Sequence, residues 1–152
     1  MKMKNEIMFI FEPGSTILKS KYFYEEKSFG LLEQLETIAL FLNHQYLSLE
    51  IDVFNNNVVG LSGYFDLSLC YEEALSMDIT AEKHLVKAVF LEPLELGVGY
   101  TYPIEGRAVY DKDKKLLKIG ESDNVTHYLK IGLSLIVGIN RGIIKCLLIK
   151  NI

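Results

Sequence analysis

The sequence predicts an α+β domain: a mostly antiparallel sheet of about seven or eight strands, with one long helix near residues 29–43 packed on it. Three stretches lead there. YLSLEIDVF, three asparagines and VVGLSGYFDL read as a hairpin that is apolar on one face only. SFGLLEQLETIALFLNH carries apolar residues at helical spacing. SLIVGINRGIIKCLLIK, residues 134–150, reads as a second hairpin, apolar on one face and nearly so on the other. Strands of that kind sit inside a sheet beneath a covering layer, and the helix is the obvious cover. A partly closed barrel is the alternative arrangement.

Each element has its own signature. EIMFIF, residues 6–11, is a first strand stopped by Pro13-Gly14. After Tyr22, Phe23 and Tyr24, the period changes. Leu31, Leu32, Leu35, Ile38, Ala39 and Leu42 recur at spacings of three and four, Glu33, Glu36 and Thr37 take the opposite side, and Ser28 is a reasonable N-cap. In the hairpin after that helix, Leu47, Leu49, Ile51 and Val53 face one way and Ser48, Glu50 and Asp52 the other. Pairing Phe54 with Val58 across the asparagines sets Ile51 opposite Leu61 and Glu50 opposite Ser62. CYEEALSMDITAEKHL reads as a short helix or a loop. Residues 85–92 form a strand ending near Pro93. In LGVGYTY, Leu96, Val98, Tyr100 and Tyr102 share a face. RAVYDKDKKLLKIG is two short strands around a charged turn at residues 111–114. In the last hairpin Arg141-Gly142 is a two-residue turn. It pairs Asn140 with Ile143, Ile139 with Ile144, Val137 with Cys146 and Leu135 with Leu148.

Length and composition bound the function. A chain of 152 residues, 49% hydrophobic and 24% charged, makes one globular domain. The net charge of −4 argues against a nucleic-acid binder, which needs a basic stripe to displace phosphate counterions. The apolar run near the start is too short for a signal-peptide core. The late run from Ile131 to Ile139 is nine residues, whereas a helical bilayer span needs about 20. Cys70 and Cys146 lie far apart in apolar stretches and read as free thiols of a reducing cytoplasm.

No catalytic pattern emerges. His44, His84 and His127 have no neighbour at metal-ligand spacing, so each reads as a structural histidine and no metal or cofactor is expected. Cys70 is the better placed thiol for a nucleophile, but nothing around it in sequence lowers a thiol pKa. The glycines of LGVGYTYPIEG do not form a phosphate-binding pattern and open no helix. Adjacent acidic pairs, Glu25-Glu26 and Glu72-Glu73, point apart and read as solvated. Tyrosines among carboxylates are the residue types of protein-binding surfaces. The candidate contact set is therefore Tyr71, Glu72, Glu73, Asp78 and Glu82, with Tyr100, Tyr102 and Glu105.

Three stretches in order, VVGLSGYFDL after an acidic alternating strand, AVYDKDKKLLKIGE, and LSLIVGINRGIIKCLLIK, resemble small bacterial immunity proteins that neutralise secreted toxins, as in contact-dependent growth inhibition. The resemblance spans residues 46–150 as a pattern of strands and turns. It implies a non-enzymatic cytoplasmic protein that binds a cognate, possibly basic toxin domain and blocks its active site. The alternative is a small-ligand-binding or enzymatic sheet domain with its pocket between the helix and the sheet, near Tyr100 to Tyr102.

Overall fold

A computed structural model describes residues 7–15, 20–77, 79–90, 92, 94–95 and 97–152. Fourteen strands follow one another among these residues: β1 (Ile7–Pro13), β2 (Ser20–Phe23), β3 (Ser28–Leu31), β4 (Thr37–Phe41), β5 (Ser48–Asp52), β6 (Val58–Tyr64), β7 (Tyr71–Glu72), β8 (His84–Phe90), β9 (Tyr100–Thr101), β10 (Ala108–Asp111), β11 (Leu116–Gly120), β12 (His127–Ile131), β13 (Leu135–Asn140) and β14 (Ile143–Lys150). One sheet has the order β2-β3-β6-β5-β4-β9 and a second the order β12-β13-β14-β11-β10-β7. β1 and β8 make a separate antiparallel ribbon. The ribbon ties to both sheets: Phe9 N–H donates to Gly142 O (2.8 Å) and Ala88 N–H to Asn56 O (2.9 Å).

The α+β expectation is therefore corrected to an all-β fold. Among the described residues there is no α-helix, only a 3-10 turn at Leu67–Leu69. Residues 29–43 hold β3, a bend and β4 instead of a helix. The apolar residues of this stretch satisfy two periods at once. Ile38, Leu40 and Leu42 are buried while Phe41 between them is exposed, which is strand alternation. Phe29, near the expected helix start, packs its ring against Tyr22 (4.9 Å) and Phe65 (6.1 Å), contacts that local spacing does not encode.

Both hairpins form, each with its register shifted by a bulge. In β5–β6, Leu49 pairs with Leu61 and Ser48 with Ser62, and the register shifts between Glu50 and Ile51, which meets Val58. The expected Ile51–Leu61 pairing is replaced, but the division of faces on β5 holds. In β13–β14 the Arg141-Gly142 turn pairs Asn140 with Ile143 and Ile139 with Ile144, as the sequence predicts. A bulge at Lys145 then moves Cys146 opposite Gly138 and Leu147 opposite Val137. Both strands are interior to the second sheet, flanked by β12 and β11.

The cover over them is not a helix. On one face Val137, Ile139, Leu147 and Ile149 join Leu40, Leu49, Ile51 and Leu61 of the first sheet in one buried cluster, together with Phe9 and Val86 of the ribbon. On the other face Ile136, Leu148, Val109 and Leu116 lie beneath Leu75, Met77, Ile79 and Ala81. These last residues belong to CYEEALSMDITAEKHL, whose described residues between β7 and β8 form the loop of the two expected alternatives, laid as a strap over the sheet. Leu75 N–H donates to Asp111 Oδ2 (2.8 Å), Lys114 Nζ donates to Leu75 O, and Lys150 Nζ donates to Ile79 O (2.9 Å). The strap's alternating apolar residues give the second sheet two apolar faces, which explains the composition of β13 and β14.

Candidate functional site

The most organised exposed group lies at the β7 edge of the second sheet. Asp66 begins the 3-10 turn by accepting from Ser68 N–H (3.0 Å), and the chain emerges from that turn at Cys70. Two residues then pair in parallel with β10, Tyr71 with Val109 and Glu72 with Tyr110. Among the described residues β7 has no strand on its other side, and Tyr71 is 57% exposed and Leu69 nearby 70% exposed.

Arg107 completes the group. Its guanidinium lies 4.6 Å from the centre of the Tyr71 ring, and its Nη2 donates to Glu73 Oε1 at 3.2 Å. A cation over an exposed ring contributes about 0.5–1 kcal/mol, and an exposed ion pair about 0–1 kcal/mol. The pair is thus a weak stabiliser of the fold and only a modest restraint on the tyrosine ring. The arginine is itself held from behind. Its carbonyl accepts from Gly120 N–H (3.1 Å), and Gly106 before it has φ +113°, where an added Cβ would come within 2.9 Å of Gly120 C. Glu105, two residues before Arg107, is exposed.

The structure thus joins Tyr71 and Glu73 through Arg107, with the exposed Glu72 between them in sequence, and sets Glu105 two residues before Arg107. The other candidates lie elsewhere. Glu82 is exposed, and its carbonyl accepts from Lys130 N–H (3.0 Å). Tyr100 accepts from Glu95 N–H through its hydroxyl (2.8 Å). Tyr102 is a clamp rather than a surface group: its ring stands edge-on to Phe9 (5.3 Å), and its hydroxyl accepts from Ile144 N–H (3.0 Å). Asp78 lies outside the described residues. Arg107 is the group that sequence reasoning missed. As one of two arginines among sixteen basic residues it was conspicuous, but its partners lie 34 and 36 positions away.

The remaining reactive groups are held by the fold. Burial, with Asp66 nearby, pushes the Cys70 thiol up to about 11, and burial does the same to Cys146. His44 Nε2 lies 2.8 Å from Ile104 O. His84 and His127 flank the Phe11 ring at 5.7 and 5.0 Å. Among the described residues no group of three His, Cys, Asp or Glu is placed to hold a metal ion. Glu50, 9% exposed, accepts from the hydroxyls of Ser62 (3.0 Å), Thr37 (3.4 Å) and Ser48 (3.5 Å). Burial raises its pKa above the ordinary glutamate range, against the pull of those three hydroxyls. It is a carboxyl group enclosed by hydroxyls, with no ion-pair partner among the described residues.

Fold and site together define an all-β fold of two six-stranded sheets and a two-stranded ribbon, with a tyrosine–arginine–glutamate group at one sheet edge. Compared with known family models, curated proteins and solved structures, the chain shows no match. Among the described residues no helix is long and apolar enough to cross a membrane.

Proposed function

We propose that this chain is a non-enzymatic, protein-binding domain of a bacterial cytoplasm: an immunity protein that neutralises a cognate toxin by covering its active site. The observation that carries the reading is the exposed Tyr71 ring beside Arg107, which also bonds Glu73, with exposed Glu72 and Glu105 near them along the chain. Tyrosine and arginine dominate binding hot spots. A contact already formed in the free protein lowers the ordering cost of docking, which favours affinity. The carboxylates, in a chain of net charge −4, suit a basic cleft and would steer its approach. The resemblance over residues 46–150 supports the same reading.

The test is to co-express the chain with the protein encoded beside it and purify through a tag on one of them. A stoichiometric complex that suppresses a toxic activity is the expected result. Replacing Tyr71, Glu72 and Glu73 together by alanine should weaken that complex by about a hundredfold or more. The melting temperature should move by no more than about 2 °C, because these groups are exposed. Unchanged affinity would remove this edge from the interface, and failure to form a complex would overturn the binding reading.

A further inference from the structure

The pocket expected between a helix and the sheet near Tyr100 to Tyr102 does not form, because residues 29–43 hold strands. With Thr37 on β4, its hydroxyl meets Glu50 of β5, which Ser48 of β5 and Ser62 of β6 also approach. Four oxygens there close a ring. Glu50 Oε1 lies 3.0 Å from Ser62 Oγ, Ser62 Oγ 3.0 Å from Ser48 Oγ, and Ser48 Oγ 3.5 Å from Glu50 Oε2. Thr37 Oγ1 stands 3.4 Å from Oε1, and the Ser62 carbonyl 3.4 Å from Ser48 Oγ. Glu50 and Ser48 are buried, while Thr37 and Ser62 are partly exposed, so the ring borders solvent on their side.

The ring is one positive charge short. Each of its three edges between side chains needs a hydrogen, but Ser48 and Ser62 bring only one each. Whichever way the two hydroxyls point, one edge sets two oxygens face to face with no proton between them. The contacts with the carboxylate are also long. O–H···O⁻ bonds settle at about 2.5–2.7 Å, against 3.0–3.5 Å here. Glu50 forms no ion pair among the described residues, and neither does Asp52, buried two residues along the same face of β5. Asp52 Oδ1 accepts from Phe54 N–H (2.8 Å), so this carboxylate adds negative potential without entering the ring.

A cation supplies what is missing. Oxygens 3.0–3.5 Å apart subtend about 75–95° at an ion about 2.4 Å from each, the spacing of neighbouring ligands around a calcium-sized cation. Magnesium, at about 2.0–2.1 Å, is too small and keeps its own waters. The ring holds a single carboxylate, which one positive charge balances. Sodium combines that charge with calcium's size.

We propose that Glu50, Ser48 and Ser62 form a sodium site that ties β5 to β6, with Thr37 supporting the carboxylate from β4.

The test is thermal unfolding of the full chain at about pH 8, where a glutamate is ionised unless burial holds its proton. Sodium chloride replaces choline chloride at constant ionic strength, and ²³Na NMR linewidths are read in parallel. Raising sodium from about 5 to about 500 mM should raise the melting temperature by about 3 °C or more and broaden the ²³Na line. Glu50→Gln and Ser62→Ala should each fold and lose both responses. Equal melting temperatures in sodium and choline would overturn the proposal, because the proton alone then completes the ring. A sodium response that survives in Glu50→Gln would assign it to salt in general and overturn the site. Stabilisation by calcium chloride at concentrations where sodium does nothing would overturn the choice of a monovalent ion. The comparison of Glu50→Gln with the parent across pH is made in the same choline buffer, where no ion competes with the proton.

Discussion

Replacing Tyr102 by phenylalanine separates a structural tyrosine from an exposed one. The substitution keeps the ring and its edge-on contact with Phe9 at 5.3 Å, and removes only the hydroxyl that accepts from Ile144 N–H at 3.0 Å. Ile144 is 3% exposed, so its N–H would be left at the start of β14 with little access to water. A buried donor stripped of its acceptor costs about 1–3 kcal/mol. For a domain of this size each kcal/mol lowers the melting temperature by about 2–4 °C, so a mid-range loss of about 2 kcal/mol corresponds to about 4–8 °C. Thermal unfolding by circular dichroism, with urea titration at constant slope, measures it. Tyr71→Phe is the control: the Tyr71 side chain is exposed, and its change should stay within about 0.5 kcal/mol. A Tyr102→Phe protein melting within about 1 °C of the parent would show that the hydroxyl does not join the segment after β9 to β14.

Two other single groups have measurable effects. Glu50 has its pKa raised by burial in the folded state, so its contribution to stability is fully present below the unfolded value of about 4.3 and is lost as pH rises through the folded value. Glu50→Gln removes that dependence. Its urea midpoint should gain on the parent between pH 4 and pH 7, and a gap that stays constant or runs the other way would contradict the burial argument. Gly63 has φ +107°, and an added Cβ would lie 2.0 Å from Tyr46 O, a backbone atom that cannot swing aside. Gly63→Ala should therefore cost on the order of 3 kcal/mol or more, and a loss under about 1 kcal/mol by denaturant titration would show that the β6 backbone relaxes there.

What the sequence revealed was local, and what it concealed was long-range. The Arg141-Gly142 turn was legible because its chemistry is contained in two residues, and the pairs beside it follow at once. Farther along the strands, bulges at Lys145 and near Val59 shift the register, and no turn residue in the sequence marks them. Residues 29–43 read as a helix because Leu31, Leu35, Ile38 and Leu42 fit a 3.6-residue period, while Ile38, Leu40 and Leu42 fit a period of two equally well. Isolated spacing cannot choose between them. The choice is made by Phe29 against Phe65, by the pairing of Thr37–Phe41 with Ser48–Asp52, and by Asn43 and Gln45, whose positive φ turns the chain between those strands.

The same division governs the site. Tyr71, Glu72 and Glu73 announced themselves as an aromatic residue among carboxylates, and the fold does place them on an open sheet edge. Tyr102 carried the same local signature and turned out to hold the core together, because its neighbour in space is a buried N–H 42 residues away. Composition alone could not tell the two tyrosines apart. What distinguishes them is whether the hydroxyl or the ring face is occupied by the protein itself. Tyr102 offers its hydroxyl to Ile144. Tyr71 offers one ring face to Arg107 and remains mostly open to solvent. A tyrosine whose ring is anchored while much of its surface remains exposed is ordered without being satisfied, and that state favours docking on a partner.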